Sequence, residues 1–223
     1  MIRASLNYFV FALILVCAFL VGTLVAPVAE AAGYNGKAAA AYAKIYACNN
    51  NTACRNKAYV NYYSNCTNFV SQALLAGGKK EVESGYPFWA YGNKNVHSRS
   101  WSSVDHFLEF WEEPGKKRST VTHYTKKMGS AYTSAAKGDV YVYDWGKGDG
   151  WSHLAIATGY GNFVNYYDVT ARKNYNSVTG GSGDKIAQHS TDRDGAPWNW
   201  GYHGEPDKTV KAKMRTKILH ISN

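Results

Sequence analysis

Residues 138–144 read Gly138-Asp139-Val140-Tyr141-Val142-Tyr143-Asp144, and at this stretch the periodicity of the chain changes. Before it, apolar residues recur at helical spacing. From Asp139–Tyr143 onward they alternate, and the alternation returns in His153–Thr158, Phe163–Val169, Ile186–Ser190 and Thr216–Ile221. Several of these runs are separated by glycine-rich turns, the pattern of short strands. Helices followed by strands predict an α+β fold, with N-terminal helices packed on a small antiparallel sheet or half-barrel, and argue against a parallel α/β arrangement.

Working back from this point, Gly36–Ala47 reads as an alanine-rich helix with Tyr42, Ile45 and Tyr46 at helical spacing. Residues 54–63 read as a second, short helix. Asn65–Ala76 is a third: Ser64 or Asn65 supplies the N-cap, Phe69, Val70, Ala73 and Leu74 make one face, and Gly77-Gly78 ends it. Residues 79–100 read as loop. Ser102, with Asp105 three positions on, suggests a capping box opening a fourth helix whose stripe is Val104, Phe107, Leu108 and Trp111. Asn174–Asp184 reads as a flexible insertion between two strands.

The composition supports one folded domain. With 223 residues, 45% hydrophobic and 15% aromatic, the chain can bury a core, which excludes a disordered polymer. Gly 21 and Pro 5 without a period exclude collagen-like chains, and no repeat of solenoid length is present. The first residues have the pattern of an export signal: Arg3, an uncharged apolar run from Tyr8 to Ala26, then Ala29-Glu30-Ala31. The reading is a signal peptide over 1–31 and one domain over 32–223, with an uncleaved membrane anchor as the alternative. Loss of 1–31 removes Arg3 and Glu30 together and leaves the net charge of +9 unchanged. For a secreted or wall-associated protein, that charge points to an anionic wall or membrane surface and not to nucleic acid.

Cys17 leaves with the signal. Cys48 and Cys54 lie six apart across Asn49-Asn50-Asn51-Thr52 and are expected to pair in an oxidising compartment. Cys66 is left over, in the first turn of its helix. Unpaired N–H groups and the helix dipole there favour a thiolate, and the same groups suit the oxyanion of a tetrahedral intermediate. His153, after the turn Gly146–Gly150, is the candidate base. A third polar group should fix its tautomer, and His189 and Asn165 both qualify. The plainer alternatives are a packed small cysteine, an edge-strand histidine and a turn-capping His189. Asp144–Gly150 has too few acidic residues for a calcium loop, and His153 with His189 lacks further zinc ligands, so no metal and no cofactor is expected. Trp89, Trp145, Trp151 and Trp198 are candidate cleft walls.

The run Asn65-Cys66-Thr67-Asn68-Phe69-Val70-Ser71-Gln72-Ala73-Leu74 with Gly77-Gly78 resembles the signature of the amidase domain of secreted bacterial proteins. Tyr34-Asn35 with Ala40-Tyr42-Ala43, Ser100-Trp101-Ser102 with Val104 and Phe107, and Gly138-Asp139-Val140 with Tyr143-Asp144-Trp145 resemble further motifs of that family. Trp151-Ser152-His153 leading to Ala157-Thr158-Gly159, and Gln188-His189-Ser190-Thr191-Asp192-Arg193 with Trp198, complete the set in the family's order. The resemblance spans about residues 34–221. It implies a papain-like core similar to the NlpC and CHAP cysteine hydrolases, with Cys66 as nucleophile, His153 as general base, His189 as polar orienter and the Cys66 N–H for the oxyanion. The family usually carries Asp before the cysteine and often before the histidine, where this chain has Asn65 and Ser152. These two positions, with Trp151 and Trp145, are the expected substrate contacts. The implied activity is an exported, cysteine-dependent hydrolase of amide bonds, acting on peptide or peptidoglycan. An acyltransferase or crosslinker using the same site, or a basic wall-binding module without catalysis, are the alternatives.

Overall fold

The computed structural model describes residues 33–49, 51–93, 95–124, 128, 135–163, 167–168, 173–174 and 182–223. The expected signal segment, 1–31, and Asn165 lie outside the described residues. Four helices come first: α1 Gly36–Tyr46, α2 Cys66–Ala76, α3 Arg99–Ser102 and α4 Val104–Trp111. Then come β1 Ser119–Tyr124, β2 Val140–Asp144, β3 His153–Asn162, β4 Tyr167–Asp168, β5 Lys173–Asn174, β6 Ser182–Gln188 and β7 Arg193–Pro197. Two short helices, α5 Trp200–Gly204 and α6 Lys208–Lys211, precede β8 Arg215–Ile221. The fold is therefore mixed α and β, with a six-stranded antiparallel sheet in the order β1-β8-β2-β3-β6-β7 and a separate β4–β5 ladder. No helix among the described residues is long and apolar enough to cross a membrane.

The alternation in Val140–Tyr143 separates two buried layers, since every residue of β2 is buried. Val140 and Val142, with Leu154 and Ile156 of β3, pack under the helices against Phe69, Val70, Leu74 and Phe107. Tyr141 and Tyr143, with Ala155 and Ala157, pack on the other face against Ile186, Trp198 and Met214. Tyrosine suits this second layer because each hydroxyl has a buried acceptor. Tyr141 donates to Asp184 Oδ2 at 2.5 Å and Tyr143 to the Trp198 carbonyl at 2.8 Å.

Two glycines let α1 lie against the turn that feeds β2. A Cβ on Gly36 would fall 2.0 Å from the Lys137 carbonyl oxygen, and one on Gly138 (φ +91°) would fall 2.4 Å from Gly36 Cα. The end of α2 follows the Gly77-Gly78 signal: the Gly77 N–H donates to the Ala73 carbonyl at 2.9 Å and Gly78 takes φ +94°.

Several expectations need correction. Residues 54–63 form no α-helix. Only the 3-10 turn Thr52–Cys54 is present, and Asn56 draws the Ala58 N–H to its own side chain at 3.0 Å, which favours turns over helix. The helix expected from Ser102 is two helices, because Ser103 takes an extended conformation between α3 and α4. The cap is Ser98, whose hydroxyl accepts the Trp101 N–H at 3.2 Å. Strands β1 and β7 were not anticipated, and β7 (RDGAP) carries no alternation at all. Ser182–Asp184, read as part of an insertion, belong to β6, and 175–181 lie outside the described residues.

Cys48 and Cys54 form the expected disulfide, with Cα atoms 5.5 Å apart. Its loop is docked on the turn between β6 and β7. Asn49 Oδ1 accepts the Asp194 N–H at 2.7 Å, and Arg55 forks onto buried Asp192, its Nε 2.8 Å from Oδ2. Closing a loop this short is worth roughly 2 kcal/mol by chain entropy. Cys48→Ser is therefore expected to lower unfolding free energy by about that amount, and the difference should vanish when both proteins are denatured in reductant.

Candidate active site

Cys66 is the first residue of α2 and the free cysteine among the described residues; it is 4% exposed. Helix α2 packs on β3, and Cys66 at the start of the helix has His153 and Leu154 at the start of the strand as neighbours. Burial pushes the Cys66 thiol up. The neighbouring His153 ring, the Leu154 backbone and the Thr67 hydroxyl at 3.8 Å outweigh it and bring the thiol below the ordinary cysteine value, to about 7. His153 is itself buried, tilted against Tyr143 and Trp145 with ring centroids at 5.8 and 5.7 Å. Its Nε2 is buried and has no hydrogen-bond partner among the described residues. The structure thus brings together the expected nucleophile and base.

His189 is not the partner of that imidazole. Its ring stacks on Phe69 at 4.0 Å, its Nδ1 lies 2.7 Å from Asn65 Nδ2 and its Nε2 lies 2.7 Å from the Tyr46 carbonyl. The direction of these bonds follows from a donor that cannot reverse. The Trp101 indole N–H donates to Asn68 Oδ1 at 2.7 Å, so the Asn68 amide nitrogen faces Asn65 Oδ1 at 2.8 Å. The Tyr62 backbone N–H donates to the same oxygen at 3.2 Å. Asn65 must then turn its NH2 to His189, whose Nδ1 accepts while Nε2–H donates to Tyr46. This is a neutral imidazole, and burial holds its pKa at about 4, against small opposing influences from the Tyr46 carbonyl and Asp192; Arg55 adds to the lowering.

Asn65, expected to touch substrate, is 2% exposed, and both ends of its amide are engaged in this chain of bonds. Its own N–H donates to Ser190 Oγ at 3.0 Å, and that hydroxyl donates to the Tyr63 carbonyl. Trp89 and Trp198, considered as cleft walls, are 0% and 1% exposed and belong to the two cores. Trp151 and Ser152, just before His153, are half-buried. The Trp151 ring lies 4.9 Å from the Arg215 guanidinium and 4.7 Å from Lys217 Nζ, both already ion-paired, to Asp144 and Glu112. Trp145 stacks on Tyr143 at 4.6 Å and forms one wall of a cleft of ≈ 360 Å³ shared with Trp200, Glu205 and Met214. A larger polar cleft of ≈ 660 Å³ runs along the chain entering α2, lined by Arg55, Tyr62, Tyr63, Ser64 and Thr191.

Sequence reasoning missed Asn68, Trp101, Ser190 and the Tyr46 carbonyl. Asn68 carried one legible signal, its place one helical turn after Asn65. Cys48, His189 and Asp192 present ligand-type atoms within 4.8 Å of one another, but the sulfur is in the disulfide, the imidazole serves Asn65 and Tyr46, and the carboxylate holds Arg55.

Cys66 opens a helix and His153 opens a strand of the antiparallel sheet, on a mixed α and β framework. Residues 33–214 match the family described as Putative amidase domain, and the chain belongs to that family. It is also 33% identical over 153 residues to the uncharacterized protein YjcM of Bacillus subtilis (strain 168), a match covering 64% of this chain and 32% of that protein. The chain thus spans about a third of the length of this curated relative. No solved structure matches it.

Proposed function

We propose that this chain is a cysteine-dependent amide hydrolase with a papain-like catalytic arrangement similar to the NlpC and CHAP hydrolases. The observation that supports this reading above all is the Cys66 thiol, at the first residue of a helix and held at about 7 by the neighbouring His153. In the reaction, Cys66 Sγ attacks the carbonyl carbon of the scissile amide, and the proton it has lost resides on His153. The carbonyl oxygen becomes an oxyanion at the start of α2, where N–H groups and the positive end of the helix dipole lie. Collapse breaks the C–N bond as His153 gives its proton to the leaving amine, and a thioester remains. Water, deprotonated by His153, then attacks the thioester and releases the acid and the thiolate. No cofactor enters these steps. The segment 1–31 exports the protein, and the charge of +9 favours a wall whose peptides supply the amide.

The test is stoichiometric alkylation. Iodoacetamide at one equivalent should modify Cys66, follow a pH profile with a midpoint near 7, and stop hydrolysis of a chromogenic peptide anilide or of purified peptidoglycan. Hydrolysis that persists after complete modification would overturn the reading.

A further inference from the structure

Helix α2 begins without the side-chain cap that its N-cap residue could supply. Asn is among the best N-cap residues because its side-chain oxygen takes an orphan N–H of the first turn. Asn35 does this for α1, accepting the Ala38 N–H at 3.0 Å, and Asp207 does it for α6. Asn65 occupies the same position on α2 and makes no capping bond. Its oxygen is occupied by Tyr62 N–H and Asn68, and its nitrogen reaches back to His189. We propose that Asn65 and His189 are positioning residues for Cys66: His189, anchored on the Tyr46 carbonyl, holds the Asn65 amide off the helix end, so that the first N–H groups of α2 stay open for the oxyanion. The role given to His189 by the family resemblance, orienting the catalytic imidazole, is replaced by one that acts on the nucleophile's helix.

The arrangement works with a neutral His189. A proton on Nδ1 would confront the Asn65 NH2 with a second donor and release the amide. The charged groups that face this ring, Asp192 from the β6–β7 turn and Arg55 from the segment after the disulfide, bond each other, and the disulfide and Phe69 close the remaining sides. The ring is thus enclosed by a balanced ion pair and uncharged groups, which suits the neutral tautomer the hydrogen bonds require.

The inference rests on the proposed function, so its test separates the two. With the peptide anilide as probe, Cys66→Ala reads the function itself, and the remaining variants read the positioning. His189→Ala removes the acceptor of the Asn65 NH2 and loosens the amide, so that its oxygen can leave Tyr62 and Asn68 for the helix end. It should lower kcat about 10- to 100-fold, approaching the loss of one oxyanion donor, with KM changed less than about threefold. His189→Gln, whose amide can accept from Asn65 and donate to Tyr46, should stay within about threefold of the parent. The decisive comparison is the double variant His189→Ala/Asn65→Ala, which has no side chain left to occupy the helix end and should be faster than His189→Ala. A purely structural role predicts the double variant to be slower still, and that result would overturn the proposal. Should His189→Ala not fold, Asn65→Ser and Asn65→Ala replace it. Serine caps helices well and alanine poorly, so Asn65→Ser should have the lower kcat despite the higher melting temperature; the reverse order of kcat would equally overturn the proposal. Throughout, the alkylation midpoint of Cys66 should stay near 7, because His153 is untouched, and a shift of it above 8 in His189→Gln would count against the assignment.

Discussion

Cys66→Ala and His153→Ala are each expected to reduce amide hydrolysis by on the order of 10³-fold or more, and the double variant should be no worse than the poorer single. The reason is that the two groups form one device. Without the thiol there is no bond for the imidazole to assist. Without the imidazole, burial, already the largest single influence on the thiol, is opposed only by the Leu154 backbone and Thr67. The Cys66 midpoint should then rise from about 7 to above that of an ordinary cysteine, leaving little thiolate at neutral pH. Two measurements check this. Steady-state rates on the peptide anilide give the double-variant cycle, and losses that multiply would mean that the residues act independently. The pH dependence of alkylation in His153→Ala gives the second, and an unmoved midpoint would remove His153 from its role. Cys66→Ala removes a single sulfur and should melt close to the parent, whereas His153→Ala leaves space beside Tyr143 and Trp145 and should melt lower, so its rate is read at a temperature where it is fully folded.

The elements that carry Cys66 and His153 were legible in the sequence because they depend on local features. Cys66 follows a polar pair at the start of an apolar helix, and the glycines that end the helix are adjacent in the chain. His153 opens an alternating strand. These are short-range patterns, and the corresponding elements, α2 and β3, form where the periodicity puts them. The disulfide was legible for the same reason. What could not be read were the long-range pairings. His189 lies 124 positions from Asn65 and 143 from Tyr46, and no local pattern ties them together. Its assignment to His153 came from motif order, and motif order carries no information about which of two buried polar groups a ring will face. Asn65 was misread in a related way. A polar residue beside a nucleophile suggests substrate contact, whereas here the desolvated amide is satisfied on both ends from within the fold.

The fold shows the same division. The alternation in β2 correctly announced a strand, yet its outward positions are buried too, because Trp198 and Met214 cover the face that a two-layer reading would leave wet. Strand β7 was invisible because its residues, Arg-Asp-Gly-Ala-Pro, are held by pairing with β6 and not by their own propensity. The Ser103 break between α3 and α4 was hidden by a good capping-box spacing one residue earlier, and Ser98 won because its hydroxyl could reach both the Trp101 N–H and the Ala90 N–H.

Acid should destabilise this protein through His189 more than through any surface carboxylate. In the unfolded chain the residue titrates near 6.5, and in the fold burial holds it at about 4. Between those values the unfolded state binds the proton and the folded state does not, so stability is complete above 6.5 and declines as pH falls toward 4. At 1.36 kcal/mol for each pH unit the whole window is worth about 3 kcal/mol, a large share of the stability of a domain this size. His203 acts in the same direction, also lowered to about 4 by burial and by Lys211, but its partial exposure weakens its part. Asp194, raised by burial, acts in the opposite direction by taking up a proton in the fold first. His189→Gln isolates this contribution, since glutamine can preserve the bonds to Asn65 and Tyr46 and cannot titrate. Urea unfolding at pH 7 and pH 4.5 should show the parent losing about 2–3 kcal/mol more than the variant over that interval. Equal losses in the two proteins would mean that the folded ring takes up its proton at the same pH as the unfolded chain. The charged ring cannot accept from Asn65, so the support beneath Cys66 would then be lost already just below pH 6.5 and not near 4.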